Sequence, residues 1–364
     1  MQMQFFPSRQ ISWYMVRLFL VRTFAVLAML VIILQTLDLL GESGKILAYP
    51  GNGQAEILHY VTLRIPQIIA RFLPFSVLLG TLITFVTLNQ NSEIVAMKAS
   101  GLSAHQILAP MVLASLGIAI VSFAFNEKIV APATGEATAW EDVEYGPIPQ
   151  VSGVMTNVWV RDGDMLINAG TVTGRDAATQ LARVRIYQRS EDSLRQLVEG
   201  DLAVRHGSGW RLEKPRVFDV ATAQQRQLAY LDFAQGVPPQ RFRLSSVDPD
   251  ALSFAELSQS ITDLEAAGRR TDELRANLWH KLSGPLSALL MPLLAAVAAF
   301  GLARSGHLFL RAAIGMALGF AYFVADNFAL AMGNLGAYDP LIAAWSPFLL
   351  FLMIGETVLI RTEE

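Results

Sequence analysis

Six apolar runs, each long enough to cross a lipid bilayer, constrain the fold of this chain more than any other feature. A membrane-spanning helix needs about 20 mostly apolar residues, and six segments of the chain meet that requirement. They cover residues 18–40, 60–88, 106–125, 282–303, 312–335 and 341–360. Only 16% of the residues are charged, whereas a soluble domain carries about 25%. The sequence therefore predicts a membrane α-helical protein with six transmembrane helices, three before and three after a polar insert.

The polar insert, residues 126–252, has a different periodicity. Segments such as VWVRDGDMLINAG and GWRLEKPRVFDV alternate apolar and polar residues, which is typical of half-buried strands. Asp162 and Gly163 separate two such segments and predict a hairpin turn. Short strands at this spacing predict an inserted all-β domain, a sandwich or a jelly roll.

Residues 253–275 are predicted to form a helical connector between the β domain and the fourth span. Ser253 and Glu256 have the spacing of a capping box, in which each side chain satisfies a backbone N–H at the start of a helix. Gly268 is the predicted end of that helix. The predicted organisation is completed by the first three spans in residues 1–125 and the last three in residues 276–364.

The distribution of Lys and Arg predicts the orientation in the membrane, because short cytoplasmic loops carry an excess of these residues. With the N-terminus inside, seven basic residues near the spans lie on the inner side and four on the outer side. The inner ones are Arg9, Arg17, Arg22, Lys98, Arg304, Arg311 and Arg361, and the outer ones are Lys45, Arg64, Lys128 and Lys281. Both termini are therefore predicted to be cytoplasmic and the β domain to lie outside. The first run lacks a small-residue cleavage pattern, so we expect an uncleaved span and not a signal peptide.

The loop between the second and third spans, residues 91–101, is predicted to contain a short helix. Ser92 is a candidate N-cap, Glu93 would lie in the first turn, where the helix dipole favours a carboxylate, and Gly101 is a natural left-handed terminator. One face of this helix would carry Glu93, Ala96, Met97 and Ser100. That face suits insertion into the groove of a cytoplasmic partner, and the alternative is an ordinary amphipathic connector at the membrane surface.

Several functions are excluded by missing motifs. The stretch LGESGK at 40–45 lacks both the spacing and the Ser or Thr of a phosphate-binding loop, so ATP would have to be handled by another chain. The five histidines show no metal-ligand spacing and there are no cysteines, so neither a metal site nor a cofactor is expected. No catalytic constellation is found, and a net charge of −3 gives no reason to expect nucleic-acid binding.

Charged and aromatic residues near the membrane suggest a lipid site. Arg64 and Arg71 share one face of the second span and, with Lys45, bring positive charge to its outer end, where they would form a rim for an anionic amphiphile. Phe320 and Phe323 in the fifth span are candidates for lining a lipid-sized pocket. The alternative is that the arginines extend along the helix surface to water and pair with acidic residues such as Asp38.

The order of elements and several stretches resemble the LptF/LptG family of lipopolysaccharide export permeases. The likeness is carried by NSEIVAMKASGLS, DPDALS at 248–253, NLWHKLSGPLSALLMPLLA at 277–295 and ARSGHLFLRAAIGMALGFAYFVADN at 303–327. It extends over nearly the whole chain, and DPDALS together with the context of Asp38 is closer to the LptG branch. One departure is that the outer end of the first helix offers only Lys45 as a basic residue, where family members often carry several.

The resemblance implies a Gram-negative inner-membrane permease that extracts lipopolysaccharide from the membrane and has no catalytic activity of its own. The implied partners are an LptF-like permease in a heterodimer, two LptB-like ATPase subunits, and LptC-like and LptA-like periplasmic jelly-roll proteins. The helix at 92–100 would be the coupling helix gripped by the ATPase, with Glu93 at its acidic position. The β domain would be a periplasmic jelly roll that passes the lipid to a bridge of similar domains through edge-strand pairing.

Two other function classes remain open from the residues alone. One is a membrane permease that transmits mechanical force to periplasmic partners without moving lipid, and it would keep the coupling helix but lack a lipid cavity. The other is a membrane-tethered sensor whose β domain binds a ligand, and it would need no ATPase.

Overall fold

The computed structural model describes residues 7–147, 155–174, 178–190, 193–220, 222–239, 242, 248–266, 269–301 and 308–361. The chain divides into two compact units. The helical unit comprises Met1–Thr138, Pro249–Thr262 and Arg270–Glu364, and the β unit comprises Ala139–Asp248 and Asp263–Arg269. Both halves of the sequence therefore contribute to the helical unit.

The helices confirm the predicted spans. In chain order they are α1 (Arg9–Ala48), α2 (Gln54–Gln90), α3 (Glu93–Ala99), α4 (Ala104–Phe125), α5 (Ala131–Asp142), α6 (Phe254–Ala266), α7 (Asp272–Gly301), α8 (Leu308–Asn334) and α9 (Pro340–Arg361). Among the described residues, six helical segments are long and apolar enough to cross a membrane. Each contains one predicted span, although the predicted end of the fourth span at residue 303 lies outside the described residues. The two longest, α1 and α2, have 40 and 37 residues and so exceed the thickness of a bilayer core.

The helix that contains the third span does not stop where the sequence predicts the insert to begin. Helix α4 continues through a π-helical turn, Asn126–Val130, into α5, so residues 126–142 are helical, and the first strand among the described residues is Met155–Asp162. The search for apolar runs missed this extension because α5 is polar and contains Thr and Gly. A helix beyond the predicted span does not need apolar residues, so the absence of an apolar run there does not exclude a helix. The Glu127 carboxylate in the π turn accepts the backbone N–H of Phe254 at 3.0 and 2.8 Å, which holds the start of α6 against this helix.

The predicted connector consists of α6 followed by the first turns of α7. Its capping box is confirmed, because the Glu256 carboxylate accepts the Ser253 backbone N–H at 2.9 Å and the Ser253 hydroxyl accepts the Glu256 N–H at 3.3 Å. The hydrogen bonds from Ser253 lower the pKa of Glu256. The predicted terminator Gly268 lies outside the described residues.

The core of the helical unit depends on close contact between α2 and α8. Leu78 and Phe85 of α2 are almost fully buried. A Cβ atom at Gly319 would collide with the Leu78 side chain, and one at Gly315 would lie 2.6 Å from Leu82. Small residues in α8 therefore let the two helices approach closely, as membrane helices commonly do.

The described residues of the β unit form one antiparallel sheet of eight strands. The strands are β1 (Met155–Asp162), β2 (Met165–Thr173), β3 (Gln180–Ser190), β4 (Ser193–His206), β5 (Gly209–Glu213), β6 (Arg216–Asp219), β7 (Gln224–Gln227) and β8 (Tyr230–Phe233). Asp162 pairs with Met165 across the turn that contains Gly163, so the predicted hairpin is confirmed. The fold class of membrane helices with an inserted β domain is confirmed as well.

The sheet forks at the long strand β4. One side of β4 pairs with β3, whereas the other side pairs with β6 over Gln196–Glu199 and with β5 over Ala203–His206. Gly200 lies between these two segments, and a Cβ atom there would lie only 2.7 Å from the Leu212 side chain. Glycine therefore suits this position, because the Leu212 side chain of β5 fills the space that a Cβ atom would need.

Candidate functional site

The short helix α3 is held rigidly at its C-terminal end. Gly101 has a φ of +91°, the Leu102 N–H donates to the Met97 carbonyl at 3.2 Å, and the Gly101 N–H donates to the Lys98 carbonyl at 3.0 Å. These two bonds form a Schellman motif, which needs a left-handed residue at the Gly101 position. The predicted role of Gly101 as terminator is therefore confirmed.

A tight connection to α4 follows directly. The Ser103 hydroxyl accepts the Gln106 N–H at 3.1 Å, and the Gln106 side chain accepts the Ser103 N–H at 2.9 Å, which is a complete capping box. Only Gly101–Ser103 separate the two helices beyond the cap residue Ser100. A displacement of α3 would therefore be transmitted to α4 with little slack.

The N-terminal end of α3 differs from the sequence prediction. Ser92 occupies the N-cap position but has a left-handed φ of 58°, and its side chain makes no capping hydrogen bond. Its hydroxyl cannot reach the helix N–H groups from this backbone conformation, since N-caps normally have extended backbone. Ser92 therefore reverses the chain after α2, and Glu93 in the first turn is left to interact with the helix dipole.

Of the four residues on the predicted face of α3, Ala96 and Ser100 are exposed and Glu93 is half-buried, whereas Met97 turns inward. Ile94 is buried and Met97 packs against the core of the helical unit, so Met97 faces inward. The exposed apolar residues are Val95, Ala96 and Ala99, with Val95 and Ala99 one helical turn apart. The prediction counted positions from Glu93 and missed that Ile94 and Met97 share the inward face, three residues apart.

Glu93 is joined to α1 by a contact that sequence reasoning did not find. The Tyr14 hydroxyl donates to Glu93 Oε1 at 3.2 Å, and the Asn91 side-chain amide donates to the same oxygen at 3.3 Å. Tyr14 lies 79 residues before Glu93, and no local pattern signals a pairing at that distance. The first turns of α1 and the start of α3 therefore meet at one end of the helical unit.

A second contact brings another helix to the same end. His105 Nε2 in the first turn of α4 lies 3.3 Å from Glu356 Oε2 near the end of α9. The start of α1, all of α3, the start of α4 and the end of α9 therefore lie on one side of the spans.

A cavity of about 750 Å³ opens toward the other end of the helical unit. It lies between α1, α2, α7 and α8, with residues of α4, the π turn and α5 also in its wall. Its charged and aromatic lining residues are Asp38, Arg64, Arg71, Phe72, Phe75, Asp250, His280, Lys281, Tyr322, Phe323 and Asp326. Of the residues predicted for the lipid site, Asp38, Arg64, Arg71 and Phe323 come together here, whereas Lys45 and Phe320 do not line the cavity.

The acidic and basic residues of the cavity are unequally paired. Asp38 accepts hydrogen bonds from the Tyr60 hydroxyl at 2.7 Å and from Arg64 Nε at 3.1 Å, and Arg64 Nη1 also donates to Gln67 at 2.7 Å. Arg64 therefore follows the alternative stated above, in which the arginine pairs with an acidic residue, here Asp38. Arg71 is exposed, and within the described residues it has no acidic partner.

The two predicted residues outside the cavity have ordinary surroundings. Lys45 pairs with Glu42 at 2.8 Å, one turn away on α1, and its side chain is 62% exposed. Phe320 is 60% exposed, which suits a side chain that faces lipid. Phe323, three residues later, packs edge-on against Phe75 with ring centroids 5.2 Å apart, and this contact joins α8 to α2 at the cavity wall.

Polar pairs between α7 and α8 complete the cavity wall. His280 Nε2 lies 3.0 Å from Asp326 Oδ2, and the Asn277 amide donates to Asn334 Oδ1 at 3.2 Å. In the sequence, Asp326 within the fifth span was the signal that such a polar pair exists, since a carboxylate within a span normally has a partner in the protein. The identity of that partner depends on the register between two helices, which the sequence alone does not provide. Within the described residues, no cluster of three His, Asp or Glu side chains is placed to hold a metal ion.

Comparisons with known proteins agree with this architecture. The family described as "Lipopolysaccharide export system permease LptF/LptG" matches residues 13–361. The lipopolysaccharide export system permease protein LptG of Escherichia coli (strain K12) is 26% identical over 310 residues, which cover 83% of this chain and 84% of the relative. The protein of the same name from Haemophilus influenzae is 24% identical over 322 residues, which cover 86% of this chain and 89% of that relative.

Proposed function

This chain belongs to the LptF/LptG family of lipopolysaccharide export system permeases, and we propose that it is the LptG-like half of a heterodimer driven by a separate ATPase. The chain would sit in a Gram-negative inner membrane with both termini in the cytoplasm and the β unit in the periplasm. Its partners would be an LptF-like permease, two LptB-like ATPase subunits, and LptC-like and LptA-like jelly-roll proteins. The chain itself would have no catalytic activity and would convert ATPase closure into movement of its helices.

One observation carries this proposal: the same helix contacts both α3 and the cavity. Helix α1 contributes Tyr14 to the contact with Glu93 and Leu34, Leu37 and Asp38 to the cavity wall. Tyr14 and Asp38 are separated by 24 residues, or about 36 Å of helix at 1.5 Å per residue. A push on α3 therefore has a direct mechanical route to the cavity at the opposite end of the spans.

The exposed face of α3 is suited to a groove on a cytoplasmic ATPase. Val95, Ala96 and Ala99 form a small apolar surface, and Glu93 and Lys98 flank it with opposite charges. Glu93 would exchange or share its hydrogen bond from Tyr14 with a basic residue of the ATPase. Because Gly101 and the Ser103 capping box remove slack, motion of the ATPase would reach α4 as well as α1.

The cavity is suited to part of an anionic amphiphile. Arg71 and Lys281 would attract phosphate groups, since both side chains line the cavity. The Phe72, Phe75 and Phe323 rings would contact acyl chains. Narrowing of the cavity would then push lipopolysaccharide toward the periplasmic side. In the β unit, β1 is an outer strand that pairs with β2 within the described sheet, and its other edge would take a strand of a neighbouring jelly roll.

Charge reversal on α3 tests the coupling. We expect Glu93→Lys to insert normally into the membrane but to reduce the amount of ATPase that co-purifies with the permease by tenfold or more. Glu356→Lys is the matched control, because it makes the same charge change at the same end of the spans but on α9. Normal ATPase retention and normal lipopolysaccharide release in the Glu93→Lys complex would refute the coupling role of α3.

A second measurement separates lipid export from force transmission alone. Mass spectrometry of the complex purified from native membranes should detect bound lipopolysaccharide. A complex that retains the ATPase but never carries lipopolysaccharide would instead support a permease that only regulates periplasmic partners.

A further inference from the structure

A second groove lies at the α3 end of the helical unit, on the outside of the helices. It has a volume of about 560 Å³ and runs between the first turns of α1 and the middle of α4. Its walls are mainly apolar and include Trp13 and Val16 of α1 and Pro110 and Leu113 of α4. This volume lies in the range of small-molecule sites, and the groove shares no residue with the cavity described above.

The edge of this groove carries positive charge. Arg9 contributes to its lining, and Arg17 lies eight residues later on the same face of α1, with Trp13 midway between them. Arg17 and Trp13 are exposed, Trp13 to 68%. In the part of the chain that the structure describes, neither arginine makes an ion pair. Arg9 in the lining and Arg17, which directly follows the lining residue Val16, therefore bring two cations to the α1 side of an apolar slot.

The position of the groove along α1 indicates that the groove lies at the depth of the lipid headgroups. The apolar run of α1 begins at Leu18, immediately after Arg17, so Arg9, Trp13 and Arg17 span the region where lipid headgroups lie. Tryptophan prefers this interface, and anionic lipids of the cytoplasmic leaflet attract basic residues there. Leu113 and Val16 line the groove on its way toward the hydrocarbon region.

We propose that this groove binds an anionic glycerophospholipid from the cytoplasmic leaflet. Its phosphate would lie between Arg9 and Arg17, and one acyl chain would follow Trp13, Val16 and Leu113. The orientation rests on the proposed function, whereas the site itself is separate from the lipopolysaccharide cavity. A protein helix is a poorer occupant, since its surface would have to satisfy two cations in addition to filling an apolar slot.

The bound lipid would brace the inner end of α1. Tyr14, which donates to Glu93, follows Trp13 in the sequence, so a lipid that fixes this turn of α1 also fixes the contact between α1 and α3. The composition of the cytoplasmic leaflet would therefore influence how firmly ATPase motion is coupled to α1.

The test uses the purified permease–ATPase complex in detergent, titrated with phosphatidylglycerol or phosphatidylcholine of identical acyl chains. Native mass spectrometry counts the bound lipids. We expect the complex to retain phosphatidylglycerol over phosphatidylcholine, and Arg9→Gln with Arg17→Gln to weaken phosphatidylglycerol binding by about twentyfold or more. That figure assumes about fivefold for each arginine near a membrane surface.

Two further variants test whether binding depends on this groove and on these two arginines. Arg361→Gln removes an exposed arginine from the end of α9, and it should leave phosphatidylglycerol binding unchanged. Leu113→Trp fills the groove without changing any charge and should also abolish the lipid preference. Equal binding in the wild type and the double arginine variant would overturn the proposal, as would equal losses in Arg361→Gln.

A photoreactive amino acid at Val16 identifies the occupant directly. Transfer of the label to phospholipid supports the proposal, whereas efficient cross-linking to another protein chain would overturn it. Retention of ATPase and lipopolysaccharide is measured in the same preparations. The lipid site can therefore fail while the proposed function stands, because Glu93→Lys tests the function without changing the groove.

Discussion

The two ends of the helical unit hold their carboxylates in different ways. At the α3 end, the Glu93 carboxylate is held by two neutral donors, the Tyr14 hydroxyl and the Asn91 amide. At the cavity end, charges within the spans are paired across helices, as with Asp38 and Arg64 or His280 and Asp326. Neutral donors hold a carboxylate without cancelling its charge, whereas a charged side chain within a membrane span normally has a partner in the protein.

The largest effect is expected where this pairing is reversed. Arg64→Glu would place a second carboxylate beside Asp38, and we expect it to destabilise the helical unit by about 3 kcal/mol, since it leaves a partly buried charge facing a like charge. Thermal unfolding of the purified protein in detergent would measure the loss. The double variant with Asp38→Arg should recover much of the stability, and failure of this exchange would show that the pair matters for more than its charge.

The neighbouring arginine should behave differently. Arg71→Glu removes no ion pair within the described residues, so we expect a change in unfolding free energy below about 0.5 kcal/mol. Lipopolysaccharide-stimulated ATPase activity of the assembled complex should fall about tenfold, because the cavity loses one of the two cations, Arg71 and Lys281, that would attract phosphate groups. A variant with normal stimulation would remove Arg71 from the lipid site, and one that unfolds would show that the arginine is structural.

These contrasts show which parts of the molecule the sequence determines locally. Spans, the Asp162–Gly163 hairpin and the Ser253 capping box are set by residues close together in the chain, and the sequence was sufficient to predict them. The inward orientation of Met97, the partner of Asp326 and the contact of Tyr14 with Glu93 depend on how distant helices pack, and no pattern of spacing encodes that. The continuation of α4 to Asp142 was missed for a different reason, because a helix outside the bilayer does not need an apolar run.

A smaller effect is expected from a substitution in the turn between α3 and α4. Gly101→Ala would put a side chain at a φ of +91°, which costs about 1 to 2 kcal/mol for residues other than glycine. We expect the α3–α4 turn to lose its geometry and ATPase retention to fall about fivefold, with the spans unaffected. Gly44→Ala in α1 is the matched control, since it has normal helical backbone and open space around it, and it should leave retention unchanged.

The smallest effect is expected from the link between α1 and α3. Tyr14→Phe removes one hydrogen bond to an exposed carboxylate, a contribution of about 1 kcal/mol at most. If α1 carries ATPase motion to the cavity, this variant should retain the ATPase fully yet lose about two- to fivefold in lipopolysaccharide released per ATP hydrolysed. Tyr49→Phe, at the other end of α1, should have no effect on that ratio. Unchanged stoichiometry in Tyr14→Phe would remove α1 from force transmission. It would leave the two covalent connections of α3, which are the short Asn91–Ser92 link from α2 and the Schellman turn with the Ser103 capping box that leads into α4.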